Sequence, residues 1–205
     1  MAPDTVYRTW RYVCAIFFVL LFIFSRPAIA GLDHLVSQNT GGIYRYYNIP
    51  PTALFWTSLG GALFLGSEDR LGRTFWKSSE AYFLDQAATE VLKRTTGRLR
   101  PADTDDPNQW RKGGHSFPSG HVSSTAAMVT PMILEYGKDH PAVWTLAVLP
   151  AYEMVARVKQ RAHWQSDVIA GAALGTAVGY GVHERGPFVL RLLPGGAFVG
   201  FNKLF

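Results

Sequence analysis

The eight residues FPSGHVSS, numbers 117 to 124, join a proline-serine-glycine turn to a histidine and to residues that can open a helix. A helix that begins near His121 exposes unpaired backbone N–H groups at its amino end, where the helix dipole also favours an anion. Gly120 lets the backbone approach that anion closely, and the Ser119 hydroxyl adds a donor. The stretch predicts an anion cradle with an imidazole at its edge. Taken alone, it is equally consistent with an ordinary helix cap.

The stretch KRTTGRLRP, residues 93 to 101, lies upstream of this turn. Lys93 stands near the end of a predicted helix, and Arg100 comes just before the proline that stops it. A bidentate arginine and a point-charge lysine can together neutralise a phosphoryl group. Cations in this position are also typical of a solvated helix end that complements the dipole. Both interpretations stay open for this block alone.

The stretch RVKQRAHWQSD, residues 157 to 167, lies downstream and places Arg157 six positions before His163 and Asp167 four positions after it. If a helix starts there, His163 and Asp167 share a face. The carboxylate can then hold one ring nitrogen protonated and leave the other as a nucleophile. A pair with this spacing also occurs in purely structural roles.

Together, the three blocks resemble the signature of the type 2 phosphatidic acid phosphatase superfamily, which also includes bacterial nonspecific acid phosphatases and vanadium-dependent haloperoxidases. The family pattern is K-x6-RP, then PSGH, then SR-x5-H-x3-D, and this chain keeps every internal spacing between Lys93 and Asp167. One departure is Ala156, which stands where the family has a serine and removes a hydroxyl that could touch the phosphate. The resemblance implies an all-α fold, a helical bundle of the phosphatidic acid phosphatase and haloperoxidase type.

The resemblance also implies a role for each residue of the site. His163 would attack phosphorus to give a phosphohistidine, Asp167 would orient it, and His121 would protonate the leaving oxygen and then activate water. The phosphoryl oxygens would be held by five residues: Lys93, Arg100, Ser119, Gly120 and Arg157. Because three cations already neutralise the phosphoryl charge, neither a metal nor another cofactor is expected.

The implied reaction is hydrolysis of a phosphate monoester or diphosphate, on a small ester or on a lipid such as prenyl diphosphate, phosphatidate, phosphatidylglycerophosphate or lipid A. Lipid and a membrane surface are favoured because hydrophobic residues make up 48% of the 205 residues and charged residues only 17%. Two alternatives remain. A vanadium-dependent haloperoxidase would usually be much larger, and a non-catalytic membrane or lipid-binding protein has no physical reason to keep the complete catalytic set.

Residues 1 to 30 have the features of a secretory signal or an N-terminal membrane anchor. Arg8 and Arg11 precede the apolar run CAIFFVLLFIFS, and the segment ends in small residues. The run is shorter than the ~20 residues of a full span. Residues 31 to 205 then form the predicted phosphatase domain. We expect an exported protein, in the periplasm or at the inner membrane with a periplasm-facing site.

The charge and cysteine content limit the partners. The single cysteine, Cys14, lies in the N-terminal segment, so the remaining domain has no disulfide. Loss of that segment would remove three arginines and one aspartate, lowering the net charge from +5 to +3. This mild basic balance suits anionic substrates or lipid surfaces. Without a concentrated basic run, no nucleic-acid partner is expected.

Five helices are predicted, over residues 52–66, 79–97, 121–136, 142–157 and 166–183. The first is apolar but brief, which predicts a buried helix. In the second, Phe83, Ala87 and Val91 recur at four-residue steps, with Ser79 as a cap and Gly97 as the end. The small residues AGAALGTAVGYG predict close packing of the last helix. Residues 31–50 and 186–205 look irregular or extended.

Other polar residues have weaker patterns. Lys112 and His115 belong to a polar loop near the cradle. Trp164, beside His163, is a candidate for the pocket wall. A run of three acidic residues lacks the spacing and the glycine of a calcium loop: Asp103, Asp105 and Asp106.

Overall fold

The structure is a computed structural model that describes residues 31–185 and two strands, β1 (Phe188–Leu193) and β2 (Gly196–Phe201). Its five α-helices are α1 (Ile49–Leu65), α2 (Arg70–Thr96), α3 (Gly120–Tyr136), α4 (Val148–Lys159) and α5 (Gln165–Arg185). Two 3₁₀ helices, Gly42–Tyr46 and Pro141–Ala147, precede α1 and α4. The predicted all-α bundle is confirmed. The predicted signal or anchor over residues 1–30 lies outside the described residues.

The end of the chain adds a short hairpin to the helices. β1 and β2 pair antiparallel, with Phe188 opposite Phe201 and Leu193 opposite Gly196. The segment after α5, predicted as irregular or extended, is therefore extended over these two strands.

Helix α3 forms the centre of the bundle, where it packs against each of the other four helices. Ten consecutive residues, 122 to 131, are buried on all its sides. The predicted close packing of α5 has a direct cause. A Cβ added at Gly171 would overlap the carbonyl oxygen of Ser119, and glycines 175 and 179 approach the α3 backbone in the same way. The four-residue spacing of these glycines therefore sets the distance between the two helices.

Helix α2 begins nine residues before the predicted start. Asp69 caps it, with its side chain accepting a hydrogen bond from the Gly72 backbone N–H over 2.8 Å. Ser79, expected as the cap, lies inside the helix and donates to the Phe75 carbonyl over 3.0 Å. Gly97 ends the helix in the left-handed conformation, with φ 53°, as predicted.

The outer face of α1 and α2 is apolar, contrary to the prediction that α1 is buried. Phe64 is 89% exposed and Trp56 is 64% exposed. On α2, Phe83 is 56% exposed, whereas Ser78 and Asp85 are fully buried. The four-residue apolar stripe that predicted α2 thus faces outward, and polar side chains face the core.

Within the described residues, no helix is both long enough and apolar enough to cross a membrane.

Candidate active site

The three sequence blocks meet at one end of the bundle, where α2 ends and α3 begins. The Ser119 backbone N–H donates to the Asp167 carbonyl over 3.0 Å, which ties the start of α3 to the start of α5. The Thr96 hydroxyl donates to the Phe117 carbonyl over 3.1 Å, which ties the end of α2 to the same turn. The PSGH block therefore lies beside the block that contains His163.

His163 lies in the turn before α5 and is only 2% exposed. Its Nδ1 atom is 2.6 Å from the carbonyl oxygen of Ser116. Because a carbonyl can only accept, Nδ1 carries the hydrogen and Nε2 keeps the lone pair that a nucleophile needs. Asp167 Oδ2 is 3.8 Å from Nδ1, beyond hydrogen-bond distance. The direct acceptor is thus the Ser116 carbonyl, and Asp167 acts as a nearby negative charge.

Asp167 is fully buried and surrounded by donors. Its Oδ2 accepts from the Ser116 hydroxyl over 2.5 Å and from the Trp164 backbone N–H over 2.9 Å. Burial alone would raise the pKa of Asp167, but its interaction with His163 and the charge of Arg98 outweigh burial and lower it. The carboxylate is therefore ionised and can stabilise positive charge on the histidine ring.

Arg98 is the counter-ion of Asp167, and no pattern in the sequence predicts it. Its guanidinium donates to Asp167 Oδ1 over 2.5 Å and to Asp33 Oδ2 over 2.6 Å. The same group lies 4.4 Å from the ring centre of Trp110. Arg98 is 2% exposed, so one buried cation stands between two buried carboxylates.

Donors without protein acceptors line the predicted anion cradle. A Cβ at Gly120 would lie 3.3 Å from Lys93 Nζ, so the lysine head reaches the start of α3. Arg157 is buried at the end of α4 and donates to Gln160 over 2.8 Å. In the part of the chain that the structure describes, the Arg157 Nε and the buried Ser119 hydroxyl have no hydrogen-bond partner. Buried donors of this kind call for an acceptor, which an anion supplies.

The cations change the protonation of the two histidines. Burial, and then nearby positive charges led by that of Arg157, lower the pKa of His121 to about 3. The other charges acting on it are those of His163, Lys93 and Arg100. Burial likewise lowers the pKa of His163 to about 4, although Asp167 opposes the change. Both rings are therefore neutral in the empty site at neutral pH.

Anion binding should therefore be coupled to proton uptake. A bound dianion offsets the cations around His121, so it must raise the pKa of that ring from about 3. At pH 6 we expect sulfate, which is a dianion throughout this range, to bind with net uptake of up to about one proton per site. Calorimetric titration in buffers of different ionisation enthalpy measures that number. His121→Gln is the control and should take up fewer protons than the wild type, because only His163 can then respond to the anion. Absence of uptake in the wild type would contradict the coupling.

Two buried carboxyl groups neighbour the cations without balancing their charge fully. Burial raises the pKa of Glu153 to about 8, although Arg157 lowers it. Burial raises the pKa of Asp85 to about 7, despite its hydrogen bond from Ser123 and the charge of Lys93. Glu153 therefore keeps its proton at neutral pH, and the cradle stays positively charged.

Two residues before α1 also contact the site, and no sequence pattern predicts them. Asn48 Oδ1 is 2.7 Å from Nε2 of His121. The ring centre of Tyr47 lies 5.3 Å from that of His121. The Arg157 guanidinium lies 4.4 Å from the same Tyr47 ring centre. The segment that was predicted to be irregular thus touches both the imidazole and a cation of the cradle.

A cavity of about 420 Å³ opens beside His121 and Lys93. It lies between α1 and α2, and its wall carries aromatic side chains together with a few polar ones. The residues that line it, besides these two, are Asn48, Pro51, Thr52, Phe55, Trp56, Tyr82, Gln86, Gly120 and Ser124. An apolar group attached to an anion in the cradle has room here.

The weaker sequence candidates take no part in this geometry. Lys112 and His115 are exposed. Trp164 is buried and donates its indole N–H to the Leu99 carbonyl over 2.9 Å, so it is a core residue. The acidic run is exposed, and within the described residues no group of three or more histidine, cysteine or acidic side chains could hold a metal.

The structure is a helical bundle in which the buried His163 lies close to buried donors that have no partner in the described part of the chain. The chain belongs to the PAP2 superfamily, because the model of that family matches residues 75–188, more than half of its length. The match covers all three blocks, helices α3 to α5, and α2 from residue 75 onward.

Several curated relatives are phosphatases by name. A lipid A 1-phosphatase of Porphyromonas gingivalis is 37% identical over 91 residues, which are 42% of this chain and 18% of the relative. A lipid A 4'-phosphatase of Bacteroides thetaiotaomicron is 30% identical over 45% of this chain and 44% of the relative. A decaprenylphosphoryl-5-phosphoribose phosphatase of Mycobacterium tuberculosis is 33% identical over 47% of this chain and 52% of the relative.

The matches to these relatives thus span about half of their length or less. No solved structure gives a significant match to the chain.

Proposed function

We propose that the protein is a metal-independent lipid phosphatase that hydrolyses a phosphate monoester or diphosphate through a phosphohistidine on His163. Its substrate carries the phosphate on an apolar molecule such as lipid A, a prenyl diphosphate, phosphatidate or phosphatidylglycerophosphate. The site faces the outer side of the cytoplasmic membrane, in keeping with the signal or anchor predicted over residues 1–30.

The observation that carries the proposal is the set of buried donors without acceptors. The Ser119 hydroxyl and Arg157 Nε have no partner in the described part of the chain, and Lys93 Nζ lies at the start of α3. A tetrahedral phosphoryl group presents acceptors in several directions and carries the charge that such donors match. A bound phosphoryl group would supply the hydrogen-bond acceptors that these buried donors need.

The chemistry follows from the two neutral histidines. Nε2 of His163 attacks phosphorus, a P–N bond forms, and the bond between phosphorus and the leaving oxygen breaks. His121, protonated as the phosphate anion binds, gives its proton to that oxygen. The same ring then removes a proton from water, which attacks phosphorus and breaks the P–N bond. Inorganic phosphate leaves, and His163 is neutral again.

The cavity supports a lipid leaving group. It begins at His121, the residue that protonates the leaving oxygen, and continues past Phe55 and Trp56 of α1 and Tyr82 of α2. Apolar and aromatic surface of this kind binds acyl or prenyl chains, and the few polar residues near His121 suit a linking group. The names of the lipid A and decaprenylphosphoryl-5-phosphoribose phosphatases point to the same substrate class.

The apolar outer face of α1 and α2 supports a position in or on a lipid bilayer. Large exposed apolar side chains are rare in one continuous patch on a water-soluble protein. Here Trp56 and Phe64 of α1 and Phe83 of α2 are exposed, while α2 buries polar groups. The cavity opens between the same two helices, so a lipid could reach the catalytic residues from the membrane.

Phosphate release from purified full-length protein tests the proposed activity. The substrates are lipid A, a prenyl diphosphate, phosphatidate, phosphatidylglycerophosphate and a soluble aryl phosphate, each assayed without added metal and with excess chelator. We expect turnover on at least one lipid that chelation does not reduce. Turnover that requires a divalent metal would contradict the mechanism, and no release from any substrate would contradict the function.

The position of the membrane can be tested with site-specific labels in a Cys14→Ser background. A fluorophore on Phe83→Cys, in the middle of α2, should be quenched by brominated acyl chains after reconstitution into vesicles, because this face contacts lipid. A fluorophore on Asp105→Cys, in the exposed acidic loop, is the matched control and should not be quenched. Equal lack of quenching at both positions would show that the apolar face does not meet the bilayer.

A further inference from the structure

The segment before α1 is attached to α4 at several points. We name residues 36–48 the N-terminal strap. The Asn39 backbone N–H donates to the Lys159 carbonyl over 2.8 Å, and the Tyr152 hydroxyl donates to the Ile43 carbonyl over 2.5 Å. Gln160 donates to the Tyr44 carbonyl over 2.5 Å. These bonds fix the strap next to α4 up to the start of α1.

Gln160 links this attachment to the anion cradle. Its Oε1 accepts from Arg157 over 2.8 Å while its Nε2 donates to the strap. Tyr47 of the strap then lies against the Arg157 guanidinium, 4.4 Å from the ring centre. The strap is thus held from both sides, which gives its last residue, Asn48, a defined position opposite His121.

We propose that Asn48 is a positioning residue for the general acid His121, an inference that rests on the proposed phosphatase function. The Asn48 amide oxygen is 2.7 Å from Nε2 of His121 and accepts the hydrogen of that nitrogen. Nε2 therefore stays protonated, and Nδ1 is the nitrogen that takes up a proton and delivers it to the leaving oxygen.

The Asn48 amide oxygen also favours protonation of His121, which the surrounding positive charges oppose. Burial and the surrounding positive charges, Arg157 first, disfavour the protonated form of His121. The hydrogen bond from Nε2–H to the Asn48 oxygen becomes stronger when the ring is cationic, because hydrogen bonds from a charged donor are about twice as strong as neutral ones. Asn48 thus fixes the orientation of the ring and stabilises its acidic form, without adding a negative charge that would repel the phosphate.

The test compares substrates that differ in their need for an acid. An alkyl or lipid phosphate has a poor leaving group that must be protonated, whereas p-nitrophenyl phosphate has a good one that leaves as an anion. For Asn48→Leu, we expect the ratio of kcat/KM on the alkyl substrate to that on the aryl substrate to fall about 100-fold, within the range of general acid catalysis.

Two further variants sharpen the comparison. Asn48→Asp keeps an oxygen acceptor at the same position and should retain a much higher alkyl-to-aryl ratio than Asn48→Leu. The matched control is Asn108→Leu, which makes the same chemical change at an exposed asparagine of the loop after α2 and should leave the ratio unchanged. Equal losses on both substrates in Asn48→Leu would overturn the positioning role, since damage to the fold or to phosphate binding affects both.

A spectroscopic measurement tests the same point without turnover. In ¹⁵N-histidine-labelled protein at pH 7 and without sulfate, where the ring is neutral, the His121 signals, assigned with His121→Gln, should show a hydrogen on Nε2 and none on Nδ1. Asn48→Leu should shift the ring towards a mixture of tautomers, and an unchanged tautomer would overturn the inference. If the wild type hydrolyses none of the substrates, the proposed function fails, and this measurement alone decides the inference.

Discussion

His163→Ala is expected to lower kcat on the preferred lipid phosphate by at least about 10⁴-fold, because removal of a covalent nucleophile costs this order or more. His121 does not replace His163 in the proposed mechanism, because Asn48 holds the Nε2 hydrogen of that ring and its Nδ1 exchanges a proton with the leaving oxygen and with water. The measurement is phosphate release under single-turnover and steady-state conditions, in the presence of chelator. His163 is buried, so His163→Gln, which fills more of the space, is measured beside it.

The covalent intermediate separates the roles of the two histidines. A phosphohistidine P–N bond is labile in acid and survives alkali, so an alkaline quench after mixing with a ³²P-labelled substrate should leave label on wild-type protein. His163→Ala should carry no label. His121→Ala, mixed with an aryl phosphate that needs no acid, should accumulate label because it lacks the base that activates water.

The contrary results are equally specific. Label that persists in His163→Ala would place the nucleophile elsewhere. Full activity without label in the wild type would favour direct attack by water on the phosphate. Sulfate binding by the His163 variants, measured by calorimetry, shows whether the cradle is intact, so a loss of activity with retained binding points to chemistry and not to unfolding.

The local part of the site could be predicted from the sequence because its groups are close along the chain. Gly120 and His121 follow Ser119 directly, and the first turn of α3 then determines where their backbone groups point. Likewise, Asp167 follows His163 by four residues, and a single turn at the start of α5 brings the two within 3.8 Å. Turn and helix geometry suffices for such groups.

The partners that complete the site are far away in sequence. Asn48 precedes His121 by 73 residues, and Asp33 precedes Arg98 by 65. No sequence spacing predicts either contact, because each depends on how the segment before α1 and the loop after α2 pack on the folded bundle. In the sequence, such an asparagine or arginine cannot be distinguished from an ordinary surface residue.

The incorrect prediction that α1 is buried, and the unpredicted outward stripe of α2, have a different origin. A periodic apolar stripe, such as Phe83 and Val91, indicates a helix and one of its faces, but not the solvent that this face meets. In water the stripe belongs in the core. Here the face of α2 that packs into the protein core carries Ser78 and Asp85, and the apolar stripe is exposed. Periodicity therefore predicted the helix correctly but did not determine which way its apolar stripe faces.

Arg98→Met is expected to cause the largest loss of stability of any single substitution considered. The change removes the cation that contacts both Asp33 and Asp167, each within 2.6 Å of its guanidinium. Removal of one partner from a buried ion network typically costs about 3–5 kcal/mol, because the remaining charges stay buried without compensation. For a chain of this size that corresponds to a fall in Tm of about 6–20 °C. Thermal unfolding of the full-length protein in mild detergent measures it.

The pH dependence and a second variant identify buried charge as the cause. The pKa of Asp167 is lowered in the folded wild type. The ionised carboxylate therefore contributes stability at pH values above the ordinary pKa of an aspartate, and this stability is lost as the pH falls through the lowered pKa. Without Arg98 the buried Asp167 carboxylate loses its counter-ion, which favours its protonated form, so the difference in Tm between wild type and Arg98→Met should narrow from pH 7 towards pH 4. Adding Asp33→Asn, which keeps the shape of the side chain and removes one charge, should recover part of the loss. A gap that stays constant with pH and is not reduced by Asp33→Asn would instead mean that packing against Trp110 is what Arg98 contributes.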